Sequence, residues 1–278
     1  MGRYRCDMMR KLRLLLFGVW YASATGCCPP ISMLDVPPLR EATTLETFQV
    51  AHRGSLHTGF PDNSLPALKQ AVLQGIKFLE VDIRRDSEGE LFLFHDSRIT
   101  SRNSVAPREL YGRRVQELSS EQRKHVYLDR GKNLSIPTLE QAFDVVVGTK
   151  AALQLDLKGE SDSLLSEVMK VVTKRDAFNN VVIQLKSVSR MRDALESWPN
   201  LKIVARCRSM SELRQALQLP ILAVELERWV TSEAIEMAHR QGILTAINIA
   251  GSRLDTLTTK KYFYSKGIDS IMTDFANQ

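Results

Sequence analysis

Cysteine is scarce in this chain and poorly placed for cross-linking. Of the four, Cys6, Cys27, Cys28 and Cys207, only Cys207 falls in the body, so no internal disulfide framework holds the fold. Cys27 and Cys28 are adjacent in sequence, a spacing that disfavours a bond between them. Cys207 has no base in its own motif and reads as a small apolar strand residue, not as a nucleophile. A membrane-length apolar segment is also missing. The run from Leu14 to Ala24 is uncharged but short of the ~20 residues a span needs. No repeat and no low-complexity tract is visible, which excludes a solenoid. The formal net charge is +6. Arg3, Arg5, Arg10, Lys11 and Arg13 against Asp7 place four of those charges in the first 26 residues. The body is left at +2, too little for an electrostatic nucleic-acid surface. What remains is a chain of 278 residues, 44% of them hydrophobic, able to bury a full-sized core.

Residues 1–26 have the organisation of a signal peptide: a basic start, a short apolar stretch, then small residues. Ala24-Thr25-Gly26-Cys27 further resembles the lipobox of bacterial lipoproteins. That resemblance implies cleavage before Cys27, acylation of Cys27 and a membrane anchor at the N-terminus; a plain secretory signal is the alternative. Cys28, and not aspartate, follows the modified position, which favours the outer membrane over inner-membrane retention. The expected location is the bacterial cell envelope, lipid-anchored or else periplasmic or secreted. Pro29, Pro30, Pro37 and Pro38 stiffen residues 27–46 into a tether. Residues 47–278 are read as one domain.

Chemistry gathers at the start of that domain. His52-Arg53-Gly54 follows the β-prone run Phe48–Ala51. Phe78–Ile83 reads as a strand whose period of two sets Glu80 and Asp82 on one face. Leu91–Phe94 is a continuous apolar run, as in a buried strand, and leads into His95-Asp96. Only the turn Asp86–Gly89 separates these last two runs. A carboxylate pair on a strand is often a salt-bridged surface, and a lone histidine is commonly structural. Apolar neighbours around the pair, and two histidines beside it at strand ends, favour a catalytic rim. His52 and His95 are then the natural acid and base. Arg53 and Lys158 can bind anionic oxygens and offset negative charge that develops there. His57, His125 and His239 have no such context.

His52-Arg53-Gly54, Pro61–Ser64, Glu80-x-Asp82, Glu88-Gly89, His95-Asp96, Ile136–Glu140, Leu155–Lys158 and Gly267–Asp274 resemble, in order and spacing, the glycerophosphodiester phosphodiesterases. The resemblance implies a (β/α)8 TIM barrel, a small-molecule glycerophosphodiester substrate, and a divalent cation, Ca2+ or Mg2+, held by Glu80, Asp82 and Asp156. Carboxylate oxygens are the donors such hard cations prefer. Three departures stand out. The family more often has glutamate at the positions of Asp62 and Asp156. It often has Trp-Thr-Val-Asn where this chain has Thr245-Ala246-Ile247-Asn248, which suggests altered packing around the glycerol or head group, with Phe275 as substitute apolar surface. The implied reaction is cleavage to glycerol 3-phosphate and an alcohol. The alternatives are a phospholipase-type phosphodiesterase or lyase acting on intact phospholipids, and a catalytically weak phosphodiester-binding barrel. Nothing in the sequence calls for an obligate protein partner.

The remaining body alternates helix and strand, predicting a parallel sheet closed into a barrel. Leu65–Leu73 has helical spacing with Ser64 as N-cap and Gly75 as stop, and Thr138 caps another helix. Nine strand candidates emerge, the last six being Ala152–Leu157, Val181–Leu185, Leu201–Ala205, Ile221–Glu225, Leu244–Ile249 and Ser270–Thr273. That is one too many for eight. Residues 97–135, with Arg98, Arg102, Arg108, Arg113 and Arg114, read as a lid or small subdomain. Its arginines either steer anionic substrates or form a solvated surface.

Overall fold

The computed structural model describes residues 47–56, 59–128, 134–159, 162–227 and 229–275. The leader, the tether, Cys27 and His57 lie outside the described residues. Among the described residues no helix is long and apolar enough to cross a membrane.

Among the described residues nine strands form one sheet: β1 (Phe48–Ala51), β2 (Phe78–Arg85), β3 (Leu91–Leu93), β4 (Ala152–Leu157), β5 (Val181–Leu185), β6 (Ile203–Cys207), β7 (Ala223–Leu226), β8 (Leu244–Asn248) and β9 (Ser270–Thr273). Eight of them are parallel neighbours, and β1 pairs with both β2 and β9, which closes the barrel. The surplus strand is β3. It pairs antiparallel with β2, Ile83 opposite Leu93 and Arg85 opposite Leu91. A connection of a few residues can make a hairpin but not a parallel crossover. Leu91–Leu93 is therefore a return arm outside the barrel, and His95 follows this arm instead of one of the eight barrel strands. It reaches the rim because β3 runs back along β2 until the Phe94 N–H meets the Asp82 carbonyl at 2.9 Å.

Among the described residues eight helices accompany the strands: α1 (Leu65–Leu73), α2 (Ser120–Lys124), α3 (Leu139–Val146), α4 (Asp162–Lys174), α5 (Val188–Ser197), α6 (Met210–Ala216), α7 (Ser232–Arg240) and α8 (Leu257–Ser265). Seven of them begin alike. Ser64, Ser119, Thr138, Ser187, Ser209, Thr231 and Thr256 each accept a hydrogen bond from the backbone N–H three residues on. Each such cap stabilises its helix by ~1 kcal/mol. The strands are buried on both faces, as parallel strands under helices must be.

Residues 97–128, with 134 and 135, are a small subdomain with its own hydrophobic cluster. Phe92 and Phe94 from the hairpin pack with Ile99, Leu110, Val115, Leu118, Val126 and Ile136. Arg123, buried, pins this unit to the hairpin: it pairs with Asp86 at 3.4 Å and with Glu90, and its guanidinium lies 5.3 Å from the Phe92 ring centre. Arg98 donates to the Gly112 carbonyl, and Arg113 to Gln122 and the Glu117 carbonyl. These two arginines help hold the subdomain together.

Candidate active site

The site is built on the first turn after β1. Arg53 and Gly54 both adopt left-handed backbone, φ 51° and 65°, a conformation that costs a residue with a Cβ roughly 1–2 kcal/mol. At Gly54 an added Cβ would lie 2.2 Å from Leu68 Cδ2 on α1, so only glycine fits. The turn aims the Arg53 N–H at Glu80 Oε2, 2.8 Å away. Its guanidinium reaches Asp62 at 3.1 Å and Asp82 at 3.6 Å.

Glu80 and Asp82 alternate inward on β2 as their period predicts, and the register sets Asp156 of β4 directly beside Asp82. All three are buried, with one carboxylate oxygen from each within 4.8 Å of the others. The shorter Asp156 thus still brings its oxygen into the cluster. Burial and the two neighbouring carboxylates push Glu80 well above the usual carboxylate range. Burial also raises Asp82, but Lys158 and the Asn63 amide outweigh it and leave that group below its ordinary value. Lys158 Nζ is 2.5 Å from Asp156 and 2.8 Å from Asp82 Oδ1, the latter without hydrogen-bond alignment. Burial would lower this ammonium, and the two carboxylates raise it instead. Three crowded carboxylates against one lysine and one arginine form a donor set suited to a hard divalent cation, which would relieve the repulsion felt by Glu80.

Both expected histidines carry the same support. His52 Nδ1 is 2.7 Å from Asp274 Oδ1, and His95 Nδ1 is 2.7 Å from Asp96 Oδ1. An ionised carboxylate only accepts, so each Nδ1 carries a proton, and each Nε2 is left to accept a proton or, when the ring is protonated, to donate one. The other oxygen of Asp274 takes the Gly251 N–H at 2.6 Å, and its own N–H donates to Asp255 at 2.6 Å. Asn103 holds Asp96 at 2.6 Å. Burial raises Asp96, but the bonds from Asn103 and His95 prevail and keep it below the ordinary range. Arg84 fixes the other side of His95, donating to its carbonyl at 2.6 Å and to that of Phe94 at 3.1 Å.

The structure thus brings Arg53, Glu80, Asp82, Asp156 and Lys158 into direct contact and sets His52 and His95 on carboxylates at the same barrel rim. Cys27 lies outside the described residues. Three supporting residues had no role in the sequence reading. Asp96 and Asp274 stand directly after strand-like runs, the signal that marked the histidines. Asn63, at φ 58°, clamps Asp82 through its side chain on both sides, at 2.7 Å and 3.1 Å; the Pro61–Ser64 motif contains it without showing what it does. Thr245 corrects another expectation. It is fully buried near the start of β8, bonded to Asp269 and the Gly267 carbonyl. An indole missing there leaves the mouth of the barrel unchanged. Cys207 is buried on β6 and its thiol is pushed up to about 12 by burial, as suits an inert residue.

Known proteins converge on the same assignment. A glycerophosphodiester phosphodiesterase of Arabidopsis thaliana is 27% identical over 160 residues, 55% of this chain and 47% of the relative. The chain spans about half the length of the curated relatives it matches. The crystal structure of a glycerophosphoryl diester phosphodiesterase from Parabacteroides distasonis superimposes with a TM-score of 0.71 at 21% identity, covering 87% of this chain and 90% of that one. An Oleispira antarctica phosphodiesterase, solved with the product sn-glycerol-3-phosphate, gives 0.65 at 18% identity over 82% and 93%. These identities speak for the fold alone. The family is settled by the model of the glycerophosphoryl diester phosphodiesterases, which matches residues 52–277, and to that family this chain belongs.

Proposed function

We propose that the protein hydrolyses glycerophosphodiesters to glycerol 3-phosphate and an alcohol. The observation that carries this reading is the pair of imidazoles, each oriented through Nδ1 by a carboxylate, beside a buried three-carboxylate cluster. One histidine takes the proton of the attacking hydroxyl, of water or of the glycerol 2-hydroxyl; the other gives a proton to the leaving alcohol. Arg53 and Lys158, held close to the carboxylates, bind the phosphate oxygens and offset their charge. Glu80, Asp82 and Asp156 would hold Ca2+ or Mg2+, which supplies Lewis-acid stabilisation when bound. The product named for the Oleispira antarctica relative supports the glycerol 3-phosphate side of the reaction.

The test is turnover of glycerophosphocholine, glycerophosphoethanolamine and glycerophosphoglycerol by purified protein with Ca2+ or Mg2+, alongside the His52→Ala and His95→Ala variants. Each variant is expected to lose at least about a hundredfold in kcat, the low end for acid–base groups. A variant turning over like the wild type removes that histidine from the mechanism.

By the same reading the protein is a lipoprotein of the bacterial envelope, acylated at Cys27 and most consistent with the outer membrane. Full-length chain expressed in a Gram-negative host should fractionate with membranes, and the Cys27→Ser variant should be soluble. Equal solubility of both, with an unmodified mature N-terminus, leaves secretion alone.

A further inference from the structure

Two buried charges behind β9 take no part in the reaction proposed above. Lys260 of α8 has 2% of its side chain exposed, and Asp255, in the loop before α8, has 1%. Lysine is almost never buried so fully unless it is paired. Yet its ammonium stands 3.8 Å from Asp255, beyond hydrogen-bond length, and donates to the Phe275 carbonyl at 2.5 Å. Asp255 turns both oxygens on the same stretch of chain. Oδ1 accepts from the Thr273 hydroxyl at 2.5 Å, and Oδ2 from the Asp274 N–H at 2.6 Å. Thr273 Oγ1, fully buried, takes the Phe275 N–H at 3.0 Å in turn.

The stretch from Thr273 to Phe275 is therefore held on each side of Asp274 and at its own N–H. Its side chain is left facing His52 Nδ1 at 2.7 Å and the Gly251 N–H at 2.6 Å. Gly251 belongs to the same loop as Asp255. Ser252 folds that loop on itself, donating to the Ile249 carbonyl at 2.6 Å and accepting the Leu254 N–H at 3.2 Å. One loop thus binds Asp274 by backbone and by side chain.

Stability alone does not account for such a pair. Taking two charges out of water costs more than a loose pairing returns, and apolar residues of similar volume are often as stable. Apolar side chains could fill the space, but they could neither accept the Asp274 N–H nor donate to the Phe275 carbonyl. We propose, on the acid–base role given to His52 above, that Asp255 and Lys260 are positioning residues. Through Asp274 they fix the His52 ring in the tautomer that carries its proton on Nδ1. A misplacement of ~1 Å away from the chemistry can cost about a hundredfold in rate. Releasing the clamp should lower kcat about tenfold to a hundredfold. KM should stay within about twofold, since the ligands of the ground state are untouched.

The Asp255→Leu, Lys260→Met double variant of the full-length protein removes both charges together and so leaves neither one buried alone. It is compared with wild type, with Asp274→Asn, and with the two changes combined. If the clamp acts through Asp274, the apolar pair costs its full factor in the wild-type background and less than about twofold more beside Asp274→Asn. Equal factors in both backgrounds would mark a merely structural role and overturn the inference. Nitrogen-15 NMR of the neutral His52 ring reads the tautomer without any substrate. The wild type should show the proton on Nδ1, and the apolar pair a mixture. An unchanged ring overturns the inference even if turnover falls. A changed ring with unchanged turnover would instead remove His52 from the mechanism and keep the clamp. Thr273→Val breaks the same clamp from the strand side and serves if the apolar pair does not fold. It should share the tautomer change, and Thr273→Ser, which keeps the hydroxyl, should not; identical spectra for the two would refute the clamp.

Discussion

Replacing Asp274 by asparagine removes one oxygen and should disable His52 without disturbing the fold. The two oxygens of Asp274 have different partners, His52 Nδ1 at 2.7 Å and the Gly251 N–H at 2.6 Å. An asparagine side chain can accept at only one end. Gly251 offers only a donor, so the amide oxygen must turn towards it and the NH2 towards His52. Nδ1 then has to accept, the ring takes the other tautomer, and the proton is fixed on Nε2, the atom that must exchange it with the substrate. Loss of a hydrogen bond to a charged group costs about 1.5–3 kcal/mol, a factor of roughly 10–150 in rate. Withdrawal of a general acid or base costs about 10²–10⁴. Because both losses fall on the same proton transfer, kcat for Asp274→Asn should drop at least about a hundredfold. KM should change little, since the phosphate ligands Arg53 and Lys158 are untouched. Steady-state kinetics on a glycerophosphodiester with saturating divalent cation gives both numbers, and thermal melting checks the fold. A variant that melts like the wild type and keeps kcat within about fivefold would show that Asp274 does not set the His52 tautomer.

Exhaustive chelation should abolish turnover, and Glu80→Gln should require a higher divalent cation concentration for half-maximal rate; full activity in EDTA would refute the carboxylate cluster as a cation site. Gly54→Ala combines a left-handed φ with a 2.2 Å clash against Leu68, together about 2–5 kcal/mol, so Tm should fall by on the order of 10 °C; an unchanged Tm would mean that the turn rearranges freely. Asp269 is buried, and bonds from His239 and from Thr245 outweigh burial to hold it below the ordinary carboxylate value. A depressed folded-state value stabilises above the unfolded one, ~3.9, and that stability is lost as pH falls through the folded value. Asp269→Asn should therefore cost ~3 kcal/mol at neutral pH with the gap closing below about pH 4, read from urea titrations; a gap independent of pH would contradict the sign.

The barrel was legible because its signals are local. Seven side-chain caps and eight short apolar runs announce their elements one at a time, and alternation does the rest. The first contact layer of the site was legible for the same reason, since Glu80 and Asp82 share a face by arithmetic. Identifying the ninth strand needed only the length of the Asp86–Glu90 connection, which permits a hairpin and forbids a crossover. What stayed hidden depends on distant pairing. Asp274 meets His52 across 222 positions, and the clamp of Asn63 on Asp82 rests on a left-handed residue whose partner the Pro61–Ser64 motif does not reveal. Boundaries drifted where loops carry apolar residues. Leu201 looks like strand, yet its N–H bonds back to Trp198 and the strand starts at Ile203.

His95 and Asp96 ride on the return arm that packs with the inserted subdomain, while His52 and Asp274 belong to the barrel. The two halves of the proton relay are thus anchored in separate apolar cores, joined through the β2–β3 hairpin, Arg84 and the Asp86–Arg123 pair. Cooperative units of different stability open at different free energies. The smaller core can loosen while the barrel stays closed, which would part the acid from the base before any strand is lost. Heat inactivation of this protein would then precede its calorimetric melt, and its working temperature would be set by a few dozen residues outside the barrel.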